Sequence, residues 1–283
     1  MKYRHAHHAG NFADVHKHVT LLALLAALKR KDKGFLYLET HSGRGTYDLS
    51  DSAAESSAGI SRLAAAECAA PELRHYLARV AQLRRQGGSR LYPGSPWFAA
   101  SELRSQDRAV FTEWQPPEAR ALERALAAIP GHPRIQVDTG DGYTRLRAAL
   151  PPIERRGLIL IDPPYEDTWD DFERSRVAAS DALRRFPTGV LAIWYPIKDE
   201  RATAAWHDAL AREAGRELLL AELWLYRRDS RVALNGSGLL IVNPPYQLEE
   251  GMRSWLAELY RHLDAGHGGG TSIRRLTGPV AKR

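Results

Sequence analysis

The tetrapeptide Asp162-Pro163-Pro164-Tyr165 is the part of this sequence best equipped for chemistry, and it follows directly on the apolar run Leu158–Ile161. Ligands of open α/β sheets gather at the carboxyl ends of strands, so a turn placed there is a candidate site. Its residue types suit a weak nucleophile such as the exocyclic amine of adenine, whose lone pair is delocalised into the ring. Accepting hydrogen bonds from both N–H groups draws that nitrogen toward a pyramidal shape and frees the lone pair. Asp162 offers one acceptor in its carboxylate, and Pro163 a second in its carbonyl. Proline fixes φ and has no N–H, so the carbonyls are rigidly aimed and nothing donates back. Tyr165 can stack on an extruded base, a contact worth about 1–3 kcal/mol. Asp162 also gives the departing proton somewhere to go once the new bond to nitrogen has formed. A bare Pro-Pro after a strand commonly does no more than end it; the acid before, the aromatic after and the strand context argue for a site.

A related segment, Asn243-Pro244-Pro245-Tyr246, follows the last apolar run. An amide in the leading position would suit amine methylation of cytosine or glutamine. The segment lies far from the middle of the sheet, however, and reads as a strand terminator.

A cofactor site should lie upstream. The run Phe35–Glu39 leads into Thr40-His41-Ser42-Gly43-Arg44-Gly45, where glycines let backbone approach a ligand closely. The full dinucleotide fingerprint is absent. Glu113 ends the second expected strand, where an acid binds ribose hydroxyls, and Asp141-Gly142 follows the third, where a carboxylate can accept from a cofactor's adenine amine. Each acid alone is more often a solvated loop carboxylate. Glycines, Glu113, Asp141 and then the Asp162 turn, each after a successive strand, together describe a cofactor cleft with an amine-acceptor site beside it. That combination points to methyl transfer from S-adenosylmethionine.

The elements that must hold these residues alternate. Strands are expected at Phe35–Glu39, Ala109–Glu113, Ile135–Asp138, Leu158–Ile161, Val190–Trp194, Leu218–Leu225 and Leu239–Val242, with amphipathic stretches between most of them. Pro117–Ile129, Trp169–Phe186 and Ala202–Ala214 read as helices, as does a first one from about Asp14 to Lys33, closed by Gly34. Alternation with short links argues for a mainly parallel sheet covered on both sides. The stretch Ser42 to Arg108 breaks the pattern. Its helical segments at Ala53–Ala69 and Pro71–Gln86 make residues 48–105 an inserted helical subdomain within a single domain spanning 1–283. Tyr226–Ser237 carries Asn235-Gly236 and no helix, so the last two strands should pair antiparallel at the sheet edge. The fold class is therefore α/β, a Rossmann-like methyltransferase sheet of seven strands. The glycine-rich tail from His267 onward is expected to be mobile.

Composition narrows the classes. At 283 residues the chain buries about 75% of its unfolded surface and needs no staples. Cys68 is the single cysteine, which excludes an internal disulfide and fits a reducing compartment. The longest apolar run, Leu21–Leu28, is too short to span a membrane, and no cleavage site follows it, so a cytoplasmic protein is expected. Forty Lys and Arg against 34 acids give a net charge of +6, which attracts polyanions without requiring one. The basic clusters Arg84-Arg85-Arg90, Arg227-Arg228-Arg231, Arg274-Arg275 and Lys282-Arg283 are scattered. The N-terminus is rich in histidine, with His5, His7, His8, His16 and His18, and His-x-His-His is similar to part of a hydrolase zinc site. No Asp follows within His5-x-His7-His8 and no Cys is near, and His16 and His18 point to different faces of a helix. No metal is expected.

Tyr3-Arg4-His5, His8-Ala9-Gly10-Asn11, Ala13-Asp14-Val15 and Lys17-His18 resemble the opening of the RlmJ (YhiR) family of bacterial 23S ribosomal RNA adenine-N6 methyltransferases. The likeness continues in Thr40-His41-x-Gly43-x-Gly45-x-Tyr47, Tyr92-Pro93-Gly94-Ser95-Pro96, Gly157 to Glu166 and Trp194-Tyr195-Pro196, so it covers nearly the whole chain. It implies a Rossmann-like fold with an inserted helical subdomain. It also implies cofactor contacts at His18, His41, Ser95, Glu113, Asp141 and Gly142, a catalytic acid at Asp162, and Tyr3 touching the substrate. The partner it implies is large-subunit ribosomal RNA, naked or partly assembled, met by a monomer. Phe12, where the family can carry histidine, and the alanine-rich insertion are departures that leave the catalytic set untouched. Two alternatives remain: a DNA adenine-N6 methyltransferase using the same turn, and a histidine-cluster metal-dependent hydrolase. A non-catalytic RNA-binding protein is a third reading, against which the intact Asp162–Tyr165 turn speaks.

Overall fold

A computed structural model describes residues 8–129, 134–166, 168–228, 230, 232 and 234–277. The chain opens with α1 (Phe12–Lys29) and β1 (Leu36–Glu39), then crosses β2 (Thr46–Asp48), α2 (Ala53–Ser57), α3 (Ile60–Ala64), α4 (Pro71–Gly87), β3 (Leu91–Pro93) and α5 (Ser95–Glu102). It returns to the sheet with β4 (Arg108–Glu113), α6 (Pro116–Ala127), β5 (Ile135–Thr139), α7 (Gly142–Ala149) and β6 (Gly157–Ile161). The last part is α8 (Thr168–Arg185), β7 (Val190–Ile197), α9 (Glu200–Ala214), β8 (Glu217–Tyr226), β9 (Gly236–Val242), α10 (Leu248–Leu263) and β10 (Gly268–Thr277).

All seven expected strands form and join one sheet of order β10-β8-β9-β7-β6-β1-β4-β5. Strands β7, β6, β1, β4 and β5 run parallel. From β1 the chain steps outward through β4 to β5, then returns to the other side of β1 for β6 and β7. The strand order thus reverses between β1 and β6, which opens a crevice at their carboxyl ends. Both strands are fully buried, as strands covered on two faces must be.

Among the described residues the sheet has eight strands rather than seven, because residues 268–277 form β10, antiparallel to β8. The tail was expected to be mobile on account of its glycines. Those glycines instead let the strand lie close: a Cβ at Gly269 would meet the Trp224 carbonyl oxygen at 2.3 Å. A second correction follows. The β8–β9 pair is antiparallel as expected but is not the sheet edge, since β10 covers β8 and β9 lies between β7 and β8.

Helix α1 is buried on nearly all sides, with Leu24 and Leu25 wholly enclosed, and each such leucine contributes about 1.5–3 kcal/mol. Asn11 caps it by accepting from the Asp14 N–H at 2.9 Å. It stops at Lys29, earlier than Lys33, because arginines from elsewhere take over its terminal carbonyls. Arg156 reaches Leu28 O at 2.7 Å and Arg104 reaches Lys29 O at 3.4 Å, while Arg104 also holds Lys31 O at 3.1 Å and Lys33 O at 3.2 Å just beyond the helix. These contacts satisfy orphan carbonyls that a further turn would otherwise have to bury. The helix expected over 53–69 is interrupted after Ser57, where the Ile60 N–H turns to the Gly10 carbonyl at 2.9 Å. Apolar residues of α1, α3, α4, α5 and α10 pack into one cluster on one face of the sheet, and α8 and α9 into another on the opposite face.

Candidate active site

A cavity of about 1410 Å³ opens at the carboxyl ends of β1, β4, β5 and β6. His41, Gly43, Ser95, Glu113, Asp141, Gly142, Asp162, Pro163 and Tyr165 all line it, so nearly every expected site residue is gathered there. Tyr3, His5 and His7 lie outside the described residues.

Asp162 sits just past β6 on the wall of this cleft. Its Oδ2 accepts from Lys17 Nζ at 2.7 Å, and Lys17 also pairs with Asp14 at 2.9 Å. Lys17 is only 4% exposed. Burial alone would lower its pKa, but the carboxylates of Asp14 and Asp162 outweigh that and hold the ammonium well above the ordinary lysine value. One aspartate oxygen is thereby fixed, while Oδ1 has no hydrogen bond among the described residues. Lys17 was read only as part of a family motif; its ion pair spans 145 positions, which no local pattern reveals.

At the end of β1, Glu39 is fully buried beside this group, hydrogen-bonded to Ser95 Oγ and, at 2.9 Å, to Tyr37 Oη. Desolvation pushes its carboxyl up to about 8. His41 meets Tyr143 edge-on at 5.0 Å and bonds Thr40 Oγ1 at 2.8 Å, and burial lowers it to about 4, so it is neutral. Glu113 accepts from the N–H groups of Gly43 and Gln115, each at 2.8 Å, and burial raises its carboxyl. The glycine-bearing turn after β1 is thus tied to the turn after β4 through the acid at the end of β4. Asp141 caps α7, accepting from Tyr143 N at 3.1 Å and Thr144 Oγ1 at 2.7 Å. Gly142 lets that helix start against β1: a Cβ there would lie 1.9 Å from the Thr40 carbonyl oxygen. Trp114, 68% exposed, stands on the cleft wall beside Glu113 and was not singled out from sequence.

Two expected site residues are more enclosed than the others. His18 does not reach the cleft. It lies in the core, bonding Tyr92 Oη at 2.8 Å and packing on Phe98 at 4.9 Å, because it sits about 100° round α1 from Lys17. Tyr165 lines the cleft but is only 5% exposed, its hydroxyl donating to Trp194 O at 2.7 Å and its ring held against Phe172 and Trp194. Its φ of +52° makes the turn tight and carries the ring back into the protein, so the stacking face it offers is small. Trp194, partly exposed on the same wall, is the more accessible aromatic surface.

The remaining histidines of the N-terminal cluster go separate ways. His8 pairs with Glu55 at 2.8 Å and His16 with Ser237 at 3.0 Å. Asn243 uses its amide to hold the Pro187 and Gly189 carbonyls at 3.0 and 2.8 Å, at the end of the sheet opposite Asp162.

A sheet reversing at β1, acids at the ends of β4 and β6, and an Asp-Pro-Pro-Tyr turn on the switch-point cleft define a Rossmann-like S-adenosylmethionine-dependent methyltransferase. The chain belongs to the family described as ribosomal RNA large subunit methyltransferase D, RlmJ, whose model matches residues 32–276. It is 38% identical over 276 residues to ribosomal RNA large subunit methyltransferase J of Escherichia coli K12, covering 96% of this chain and 97% of the relative. It is likewise 38% identical over 268 residues to the protein of that name from Haemophilus influenzae, covering 93% and 94%. Among solved structures it is similar to a Legionella pneumophila protein, with TM-score 0.84, 36% identity, and coverage of 96% and 98%.

Proposed function

We propose that this enzyme methylates N6 of one adenine in large-subunit (23S) ribosomal RNA, holding the base in the cleft at Asp162. The observation that carries the reading is the Lys17–Asp162 contact, which fixes one carboxylate oxygen and leaves the other on the cleft wall. That free oxygen and the Pro163 carbonyl are the two acceptors an adenine amine needs. The Lys17 ammonium holds one Asp162 oxygen in place, so the carboxylate acts first as an acceptor and takes the amine proton only after the nitrogen has gained its methyl group. Trp194 and the edge of Tyr165 pack against the base.

The residues present fit S-adenosylmethionine. Glu113 and Asp141 end successive strands where ribose and adenine amine groups need acceptors, and Gly43 and Gly142 bring backbone close. His41 and Ser95 line the same cavity, and Tyr3 in the N-terminal segment is assigned to the substrate. When bound, the cofactor supplies an electrophilic methyl group on a sulfonium centre. His18 supports the cleft from behind through Tyr92 rather than by direct contact.

Residues 48–105 are read as an insertion within one domain, since their apolar side chains join the α1 core. A monomer acting in the cytoplasm on naked or partly assembled RNA agrees with this, because a folded ribosome would bury most target bases. No helix of the described residues is long and apolar enough to cross a membrane.

The test is transfer of labelled methyl to protein-free large-subunit RNA, matched DNA and intact subunits, with Asp162→Ala alongside. N6-methyladenine in RNA only, lost in the variant, is expected. Label on DNA, or on RNA with the variant fully active, would overturn the reading.

A further inference from the structure

Beside the cleft, around the rim of the sheet, lies a second cavity of about 290 Å³ between α9 and the edge strand β10. The alternation of β7 links the two: Pro196 and Lys198 line the cleft, while Ile197 lines the second cavity. On β8 the cleft takes Leu225 and Tyr226, and Arg228 just beyond turns to the cavity. Two basic clusters far apart in sequence converge here, Arg228 and Arg274 both reaching its walls.

The chemistry of the walls is unusual for a structural void. His207 is 1% exposed, yet neither ring nitrogen has a hydrogen-bond partner among the described residues. Leaving a buried polar group unpaired is costly, so such a side chain facing a cavity marks a place for a ligand. Burial drives this imidazole down to about 3, so it is neutral and offers one donor and one acceptor. Glu222, 2% exposed, accepts from Tyr195 Oη and Arg228, each at 3.0 Å, and Glu200 holds the other side of Arg228 at 3.1 Å. Arg228 is therefore balanced by two carboxylates. Arg274, by contrast, is exposed and has no carboxylate partner among the described residues. The interior is polar with its charges matched, and the Arg274 guanidinium stands on its wall without a carboxylate partner among the described residues.

We propose that this cavity holds a second, unstacked nucleotide of the RNA, its base against His207 and Ser272 and its phosphate on Arg274. A nucleotide has the matching division, a neutral heteroaromatic base rich in donors and acceptors joined to an anion. Sequence-selective RNA recognition works on such splayed single-stranded bases. The proposal rests on the reading of the cleft as an RNA adenine methyltransferase. It adds a subsite that selects the sequence flanking the methylated base.

The experiment compares methylation kinetics and filter binding of protein-free large-subunit RNA for the wild type, Arg274→Glu, His207→Phe and Arg261→Glu. Arg261 is exposed on α10, on the other face of the sheet, and matches the charge change. Arg274→Glu and His207→Phe should raise KM and Kd for RNA by about fivefold or more, leaving KM for S-adenosylmethionine unchanged. Arg261→Glu should do much less. Equal losses from Arg261→Glu and Arg274→Glu would reduce the effect to overall charge and overturn the proposal. Unchanged RNA affinity in Arg274→Glu would also overturn it, and this variant decides alone if His207→Phe lowers the melting temperature. If the wild type methylates no RNA, the functional reading fails, while the binding comparison still judges the cavity.

Discussion

Lys17 Nζ lies 2.7 Å from Asp162 Oδ2, joining a helix at the chain's start to the turn that follows the central strand β6. Lysine and aspartate are here 4% and 11% exposed, so each charge depends on the other for solvation it has lost. This contact both orients the carboxylate and ties the first helix to the turn after β6.

Removing the ammonium should therefore be costly. Lys17→Met leaves Asp14 and Asp162 buried without a cation and is expected to lower unfolding free energy by about 3–5 kcal/mol. Asp14→Asn, which keeps the Lys17–Asp162 pair, should cost clearly less. Urea denaturation of the two variants checks this. Equal midpoints for Lys17→Met and the wild type would mean the pair contributes no stability.

Gly142 sets the distance between α7 and β1. In Gly142→Ala the new methyl would lie 1.9 Å from the Thr40 carbonyl oxygen, and because that neighbour is backbone the helix itself must shift. The expected cost is about 1–3 kcal/mol, with weaker binding of S-adenosylhomocysteine measured by calorimetry. Unchanged affinity would show that the start of α7 does not contribute to the cofactor site.

Stability should pass through a maximum with pH. His16, His41 and His207 are lowered by burial to about 3, 4 and 3, so they stay neutral in the fold but bind protons when unfolded below about 6.5. Stability thus rises with pH up to about that value. Glu39 acts in the opposite sense. Raised to about 8, it keeps its proton in the fold and loses it near the ordinary carboxylate value when unfolded, so its burial becomes costlier as pH rises through the window up to 8. Glu39→Gln should hold its melting temperature between about pH 6.5 and 8.5, where the wild type declines. Parallel curves for the two proteins would show that Glu39 does not titrate in that range.

Tyr165 and Trp194 should separate by role. Tyr165→Phe deletes a hydrogen bond to Trp194 O and is expected to cost about 1 kcal/mol of stability while methylation persists. Trp194→Ala removes the more accessible aromatic face and should raise KM for RNA by about tenfold. The reverse pattern would return base stacking to Tyr165.

Local pattern was enough for much of this protein. The seven apolar runs, the turn at Asp162, and the acids Glu113 and Asp141 are visible because strand periodicity and punctuation by glycine and proline act over a few residues. Those signals place each acid at a strand end, which is where the sheet puts its cleft. The sequence by itself therefore determined the class of fold and most of the residues that line the cleft.

Tertiary structure decided what depends on distant partners. The glycines of 268–270 looked mobile until Trp224 gave them a surface to lie against. His18 and Lys17 are adjacent in sequence, yet one faces Tyr92 in the core and the other Asp162, since a helix turns about 100° per residue. Tyr165 has the right type for stacking, but its positive φ turns it inward. Arg228 and Arg274 meet only because β10 pairs with β8. Which charge meets which acid, and which ring faces the cleft, are properties of chain segments brought together by burial, and no short stretch of sequence carries them.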